Sequence, residues 1–137
     1  MADELEQALQ KAVSQLPECM AAGYVDLDTG MLMGIRTVDS HPNEVLDLLA
    51  AATAEMFQGQ TVTTIEKMFK KSRGVEDDGK HYFHEMIVTS ENLIPIFLRS
   101  KPNPQPVAGF VCRASANLGM AMQKARAAMP SLEEVAA

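Results

Sequence analysis

The chain reads as a single α+β domain, and three features of its 137 residues carry that reading. Segments with helical and strand periodicity follow one another in the order helix, two strands, long helix, three strands, helix. The first two strands, residues 20–27 and 31–38, do not alternate apolar with polar. Ala21, Gly23, Val25 and Leu27 line one face of the first strand, while Met20, Ala22 and Tyr24 line the other. Strands that are apolar on both sides are covered on both sides, which predicts a three-layer domain. The third feature is residues 41–72, with one Pro at the second position and one Gly in the middle. As one unbroken helix it would span roughly 45 Å. The radius of gyration of a compact domain of this size is about 14 Å, so part of that helix serves something beyond its own core.

Element by element, residues 3–16 place Leu5, Ala8, Leu9, Ala12, Val13 and Leu16 at helical spacing. Asp3, Glu4 and Glu6 in the first turn complement the helix dipole, and Pro17 ends the helix. Asp28-Thr29-Gly30 is the turn of the first hairpin. Asp39-Ser40 supplies capping side chains, and Pro42 sits in the first turn of the long helix, where its missing N–H costs nothing. Along that helix Val45, Leu48, Leu49, Ala52 and Met56 form one stripe, assigned to packing on the sheet. Val62, Ile65, Met68 and Phe69 form a second, divided between core and a subunit partner. The phase slips between the stripes at Gln58-Gly59-Gln60. Gly59 marks either a kink or a close approach of two helices. Gly74 is the expected C-cap, and residues 75–79 a surface loop. Residues 81–89 and 93–99 predict a second hairpin around Ser90-Glu91-Asn92. Residues 102–106 are a stiff Pro-rich connection, 107–113 a fifth strand, and 114–129 a closing helix before Pro130. The domain is expected to span residues 1–130, with 131–137 a frayed tail.

Composition excludes several functions. Forty-seven per cent hydrophobic residues suffice for a core, and a net charge of −6 argues against binding a phosphate backbone. No apolar run reaches the ~18 residues of a membrane span, and the acidic amphipathic start is unlike a signal peptide. Two cysteines and ten methionines fit a reducing, cytoplasmic setting.

The order of elements, with VDLDTGMLMGI as first hairpin and NLIPIFLRS…VAGFVCR before an Ala-rich helix, resembles the Roadblock/dynein light-chain family over roughly residues 5–128. The resemblance implies a profilin-like α/β/α sandwich. A five-stranded antiparallel sheet would carry the long helix on one face and the two terminal helices on the other. It further implies a homodimer through paired third strands and long helices, with Gly59, Val62, Ile65, Met68, Phe69, His81, Phe83, Glu85 and Ile87 at the interface. The function it implies is a non-enzymatic scaffold that binds a Ras-like small GTPase and modulates its nucleotide cycle. A small-molecule sensor with a pocket between sheet and helix is the alternative. Pro95 departs from the pattern, because a proline in a central strand predicts a bulge or break. The strand HYFHEMIVT has few charges to blunt a bare edge, consistent with a partner copy covering it.

Apparent chemical signals have simpler readings. Asp28-Thr29-Gly30 matches the aspartic-protease tripeptide but is also what a tight turn requires, and the turn is favoured. His81-x-x-His84 places its imidazoles on opposite faces of a strand, so ordinary strand histidines are favoured over a metal pair. Cys19 and Cys112 meet in the family topology and are read as two small buried thiols rather than a redox switch. The methionines are read mainly as core filler. Lys67, Lys70, Lys71 and Arg73 are read as a solvated helix end rather than a docking site. No cofactor, metal site or catalytic constellation is expected.

Overall fold

A computed structural model describes residues 2–39, 43–76, 82–103 and 105–136, with the side chains of residues 2–3 and 43–47 outside that description. The elements are α1 (Ala2–Gln15), β1 (Cys19–Asp26), β2 (Met31–Thr37), α2 (Asn43–Gln58), α3 (Gln60–Ser72), β3 (Glu85–Ile87), β4 (Leu93–Arg99), β5 (Pro106–Arg113) and α4 (Leu118–Val135). The strands form one antiparallel sheet in the order β2-β1-β5-β4-β3. The first and last strands of the chain thus lie side by side at the centre of the sheet.

Both faces of the sheet are covered at β1, as its two apolar faces require, whereas β2 lies at the sheet edge with Met31 and Met33 exposed. On one face Leu5, Leu9, Ala12 and Leu16 of α1 meet Ala121, Met122, Ala125, Met129 and Leu132 of α4. Both helices lie over Ala22, Tyr24, Ile96, Ala108 and Phe110. On the other face a smaller core joins Leu27, Ala54, Phe57 and Val107, with Met86 and Phe97 against it. The hairpin turn forms as read: Gly30 takes φ +71° and its N–H donates to the Asp26 carbonyl at 2.8 Å. Its side-chain bonds come from the neighbours of Asp28. The amide of Asp28 donates to Asp26 Oδ1, and that of Met31 to Thr29 Oγ1. Asp28 is an exposed turn residue.

The structure corrects four expectations. Pro95 causes no break: β4 pairs with β5 without interruption from Leu93↔Arg113 to Arg99↔Val107. The Pro95 carbonyl accepts from the amide of Val88 at 2.9 Å, so that residue turns its carbonyl and its nitrogen toward the β3 side. No bond to β5 is lost, because both groups of a strand residue point the same way. The sheet's irregularities fall instead in β1, between Tyr24 and Val25 and between Cys19 and Ala21. Second, the third strand is three residues long rather than nine, and His81 lies outside the described residues.

Third, the stripe assigned to sheet packing on the long helix is largely its outer face. Leu48 is 71% and Leu49 58% exposed, and Ala52 is exposed too. The inward residues are Ala50, Thr53, Ala54 and Phe57, while the Val45 side chain lies outside the described ones. Small side chains at i and i+4 bring the helix close to the sheet, leaving Leu48 outside and Leu49 at the mouth of a cavity. Fourth, α4 does not stop at Pro130. It continues to Val135 with Leu132 fully buried, and Glu133 accepts from the amide of Lys101 at 2.7 Å. A proline inside a helix costs about 3 kcal/mol, and burial of Leu132, worth about 1.5–3 kcal/mol, together with the Glu133 bond offsets it. Replacing Leu132→Ala should therefore lower unfolding free energy by about 2–5 kcal/mol in a denaturant titration. A frayed tail would leave the midpoint unchanged.

Candidate assembly surface

The site is built around a break. Gly59 has φ −58° and ψ 155°, so a single extended residue separates α2 from α3. Its N–H still bonds the Glu55 carbonyl at 2.8 Å, and its own carbonyl opens α3 by accepting from Thr63 at 2.9 Å. A Cβ at this position would lie 2.6 Å from the Glu55 carbonyl oxygen. The need for glycine is thus met within its own chain. The phase slip in the apolar stripe marks the point where the helix changes direction.

Beyond the break α3 is inverted. Its buried residues are Glu66, 3% exposed, and Lys70, 7% exposed, whereas Ile65, Met68 and Phe69 are 37%, 62% and 45% exposed. Val62 is half-buried. The reason lies in the segment leading into β3. The Glu66 carboxylate accepts from the amides of Tyr82 at 2.5 Å and Phe83 at 3.1 Å. Arg99, at the end of β4, donates from Nε to the Phe83 carbonyl at 3.0 Å and from Nη2 to the Phe57 carbonyl at 3.4 Å. Its guanidinium lies 5.0 Å from the Phe57 ring centroid. Burial pulls the Arg99 pKa below its ordinary value, and the Glu66 charge opposes that shift. Charges that sequence patterning places in solvent are here the internal fastening. Lys70 belongs to this buried set rather than to a solvated cluster.

The fastening positions the sheet edge. Phe69 packs on Tyr82 and Phe83, with ring centroids 5.6 and 6.0 Å away, and Arg73 lies over the Tyr82 ring at 5.9 Å. The helix then ends in a Schellman motif: Gly74, at φ +72°, and Val75 donate to the carbonyls of Lys71 and Lys70. In β3, Glu85 pairs with Arg126 of α4 at 2.7 Å, and this partner holds its carboxyl below the ordinary range. Ile87 is 44% exposed at the edge, while Met86 turns into the smaller core. Phe69 and Phe83 are therefore brought together, Val62, Ile65 and Met68 lie along α3, and Glu85 and Ile87 lie on β3. His84 is exposed, and its His81 companion is outside the described residues. Among the described residues no group of three or more His, Cys, Asp or Glu could hold a metal ion. Sequence reasoning missed Glu66 and Arg99, since a single acid on a helix and an arginine closing a strand carry no pattern.

Between α2 and the sheet lies a partly open cavity of about 360 Å³, with Ala21, Gly23, Gly109 and Val111 among its sheet residues and Leu49, Ala50 and Thr53 on the helix side. Its lining is almost wholly apolar. The hydroxyls of Thr37 and Thr53 are used locally, by the carbonyls of Asp39 and Leu49. No helix among the described residues is long and apolar enough to cross a membrane.

An antiparallel sheet in this order, clothed by terminal helices on one face and a long helical segment on the other, is the fold of Roadblock/LC7 domains. The particular proteins it resembles are consistent with one another. The gliding protein MglB of Thermus thermophilus superposes with a TM-score of 0.74 at 16% identity, covering 98% of this chain and 90% of that one. Myxococcus xanthus MglB gives 0.73 at 13%, covering 97% and 87%. A Roadblock/LC7 domain from Streptomyces avermitilis gives 0.69 at 11%, covering 96% of each. No protein-family model matches the sequence, and no curated protein does.

Replacing Glu66→Ala leaves two amides without their acceptor and the Arg99 guanidinium without a neighbouring negative charge, and should cost about 3–5 kcal/mol. Hydrogen exchange at Tyr82, Phe83 and residues 85–87 should accelerate well before that of β1 and β5. Uniform acceleration across the sheet would show that the cluster does not fasten the edge specifically.

Proposed function

We propose that the protein is a non-enzymatic homodimeric regulator or scaffold that binds a Ras-like small GTPase and modulates its nucleotide cycle or localisation. The observation that carries this reading is the outward apolar surface of α2 and α3, Leu48, Leu49, Ile65, Met68 and Phe69, together with an edge strand that ends at the exposed Ile87 and is followed by the exposed Val88. Large apolar side chains left exposed on neighbouring elements point to an interaction site. The Roadblock-like fold supplies the class of partner. Two copies would pair their β3 edges and lay their α2–α3 segments together. Regulation would proceed by repositioning groups already present on the GTPase. The protein would work in the cytoplasm and without nucleic acid, which its net charge of −6 disfavours as a partner.

The cavity between α2 and the sheet favours a second reading, an apolar-ligand sensor. It lacks the convergent polar groups that orient a specific small molecule, so the scaffold reading stands first.

Light scattering across a concentration series should give a dimer. Ile65→Glu should raise its dissociation constant about tenfold or more while leaving the thermal midpoint of the fold close to that of wild type. A strict monomer at all concentrations would sink the homodimer. Affinity capture from the native cell, followed by nucleotide-hydrolysis assays on any GTPase recovered, tests the partner. Absence of any GTPase from the captured material would overturn the regulatory reading.

A further inference from the structure

The remaining chemistry-bearing feature is the pair of cysteines, which lies under α1 and α4 on the face of the sheet away from α2. Cys19 opens β1 and Cys112 lies near the end of β5, and the antiparallel register pairs them directly. Residues directly opposite each other in such a ladder have Cα atoms about 4.5–5.5 Å apart. That separation falls inside the range a disulfide spans without backbone movement. The Cys19 thiol donates to the Ala21 carbonyl at 3.3 Å. Both are free thiols.

We infer that Cys19 and Cys112 are a modification site, an intramolecular dithiol that a hydroperoxide closes to a disulfide and that a thiol reductant reopens. The two sulfurs are unequal. Both are buried, Cys112 completely (0% exposed) and Cys19 less so (8%), so Cys19 is the one nearer the surface. The neighbouring Cys112 side chain also holds the Cys19 thiol below its ordinary pKa, against the opposing effect of burial, while Cys112 is pushed up. The thiolate is the nucleophile, so the same residue is both the one nearer the surface and the more reactive one.

The chemistry balances. Cys19 sulfur attacks the terminal oxygen of ROOH, the O–O bond breaks, and ROH leaves with a proton, giving a sulfenic acid. Cys112 sulfur then attacks Cys19 sulfur and the S–O bond breaks. Water leaves, carrying the Cys112 proton. Two thiols and one hydroperoxide become one disulfide, one alcohol and one water. The two electrons come from the thiols.

The surrounding backbone is set for closure. The Glu18 carbonyl accepts from the amide of Arg113 at 3.1 Å, and the Glu18 carboxylate accepts from the Ser115 hydroxyl at 2.8 Å. These bonds hold the start of β1 against the end of β5 just outside the pair. The link joins the first strand to the last and encloses most of the chain. Long loops are where cross-linking most restricts the unfolded state. The site is independent of the assembly surface, because no residue assigned to that surface contributes to it.

The test uses the intact chain, treated with graded hydrogen peroxide, quenched, and analysed by intact mass and non-reducing peptide mapping. Expected are a loss of about 2 Da, a Cys19–Cys112 linked peptide, full reversal by dithiothreitol, and a thermal midpoint raised by about 5–10 °C. In Cys112→Ser a sulfenic acid should accumulate at Cys19 and be trapped by dimedone. In Cys19→Ser, Cys112 should stay unmodified. Two free thiols after unfolding of the peroxide-treated wild type would overturn the inference, as would separate overoxidised cysteines or an intermolecular link. The wild-type map decides the matter even where a serine variant fails to fold.

Discussion

The Arg99 guanidinium stands where three segments distant in sequence come together: the end of α2 through the Phe57 carbonyl, the approach to β3 through the Phe83 carbonyl, and α3 through Glu66. Each of these segments leaves backbone groups that a buried position would otherwise strand. Unpaired buried polar groups cost about 1–3 kcal/mol each, so the carbonyls of Phe57 and Phe83 and the amides of Tyr82 and Phe83 together demand charged partners. A matched buried cluster seldom adds much net stability over an apolar core of equal volume. Its contribution is to geometry. An apolar packing would tolerate α3 at many angles, whereas a carboxylate seated on two amides and a guanidinium on two carbonyls tolerates few.

That constraint explains why α3 is amphipathic in the opposite sense from a surface helix. Turning Glu66 and Lys70 inward obliges Ile65, Met68 and Phe69 to face out, because residues one and two positions away lie on other sides of a helix. The same inversion of expectation occurs on α2, where Ala50 and Ala54 allow close packing and Leu48 and Leu49 are displaced outward. The two helices therefore carry their larger apolar side chains on the solvent side through different local causes. On the sheet side, glycine and alanine at positions 21, 23 and 109 leave the apolar cavity rather than filling it.

What can be read from the sequence follows the range of the forces involved. Strand β1 is legible because it is apolar on both faces, a pattern that requires two covering layers and so implies the sandwich itself. The turn at Gly30 and the C-cap at Gly74 are legible because positive φ selects glycine locally. The cysteines meet where the family topology places them. The inward face of α2 is not legible, since Leu48 and Leu49 are the better hydrophobes and only the proximity of the sheet makes Ala50, Thr53 and Ala54 the right ones. The continuation of α4 through Pro130 depends on Leu132 and Glu133 finding partners far away in the chain. Pro95 misleads for a related reason. Its effect depends on which neighbouring strand its nitrogen faces, and that is a property of the register. Glu66 is invisible because its partners are backbone amides.

The short β3 also limits how the surface can be used. Three residues pair with β4, and Pro95 deprives the β3 side of a donor just beyond them. A strand of this length offers only a few hydrogen bonds to a second copy, each worth about 0.5–1.5 kcal/mol net. An edge-to-edge contact alone would be weak. Burial of a leucine, isoleucine, methionine or phenylalanine contributes about 1.5–3 kcal/mol per side chain, and five such residues are exposed on α2 and α3. Any association through this region must draw most of its energy from the helices, with the edge supplying register. The balance then rests on Glu66 and Arg99, because they set the angle at which α3 presents that face.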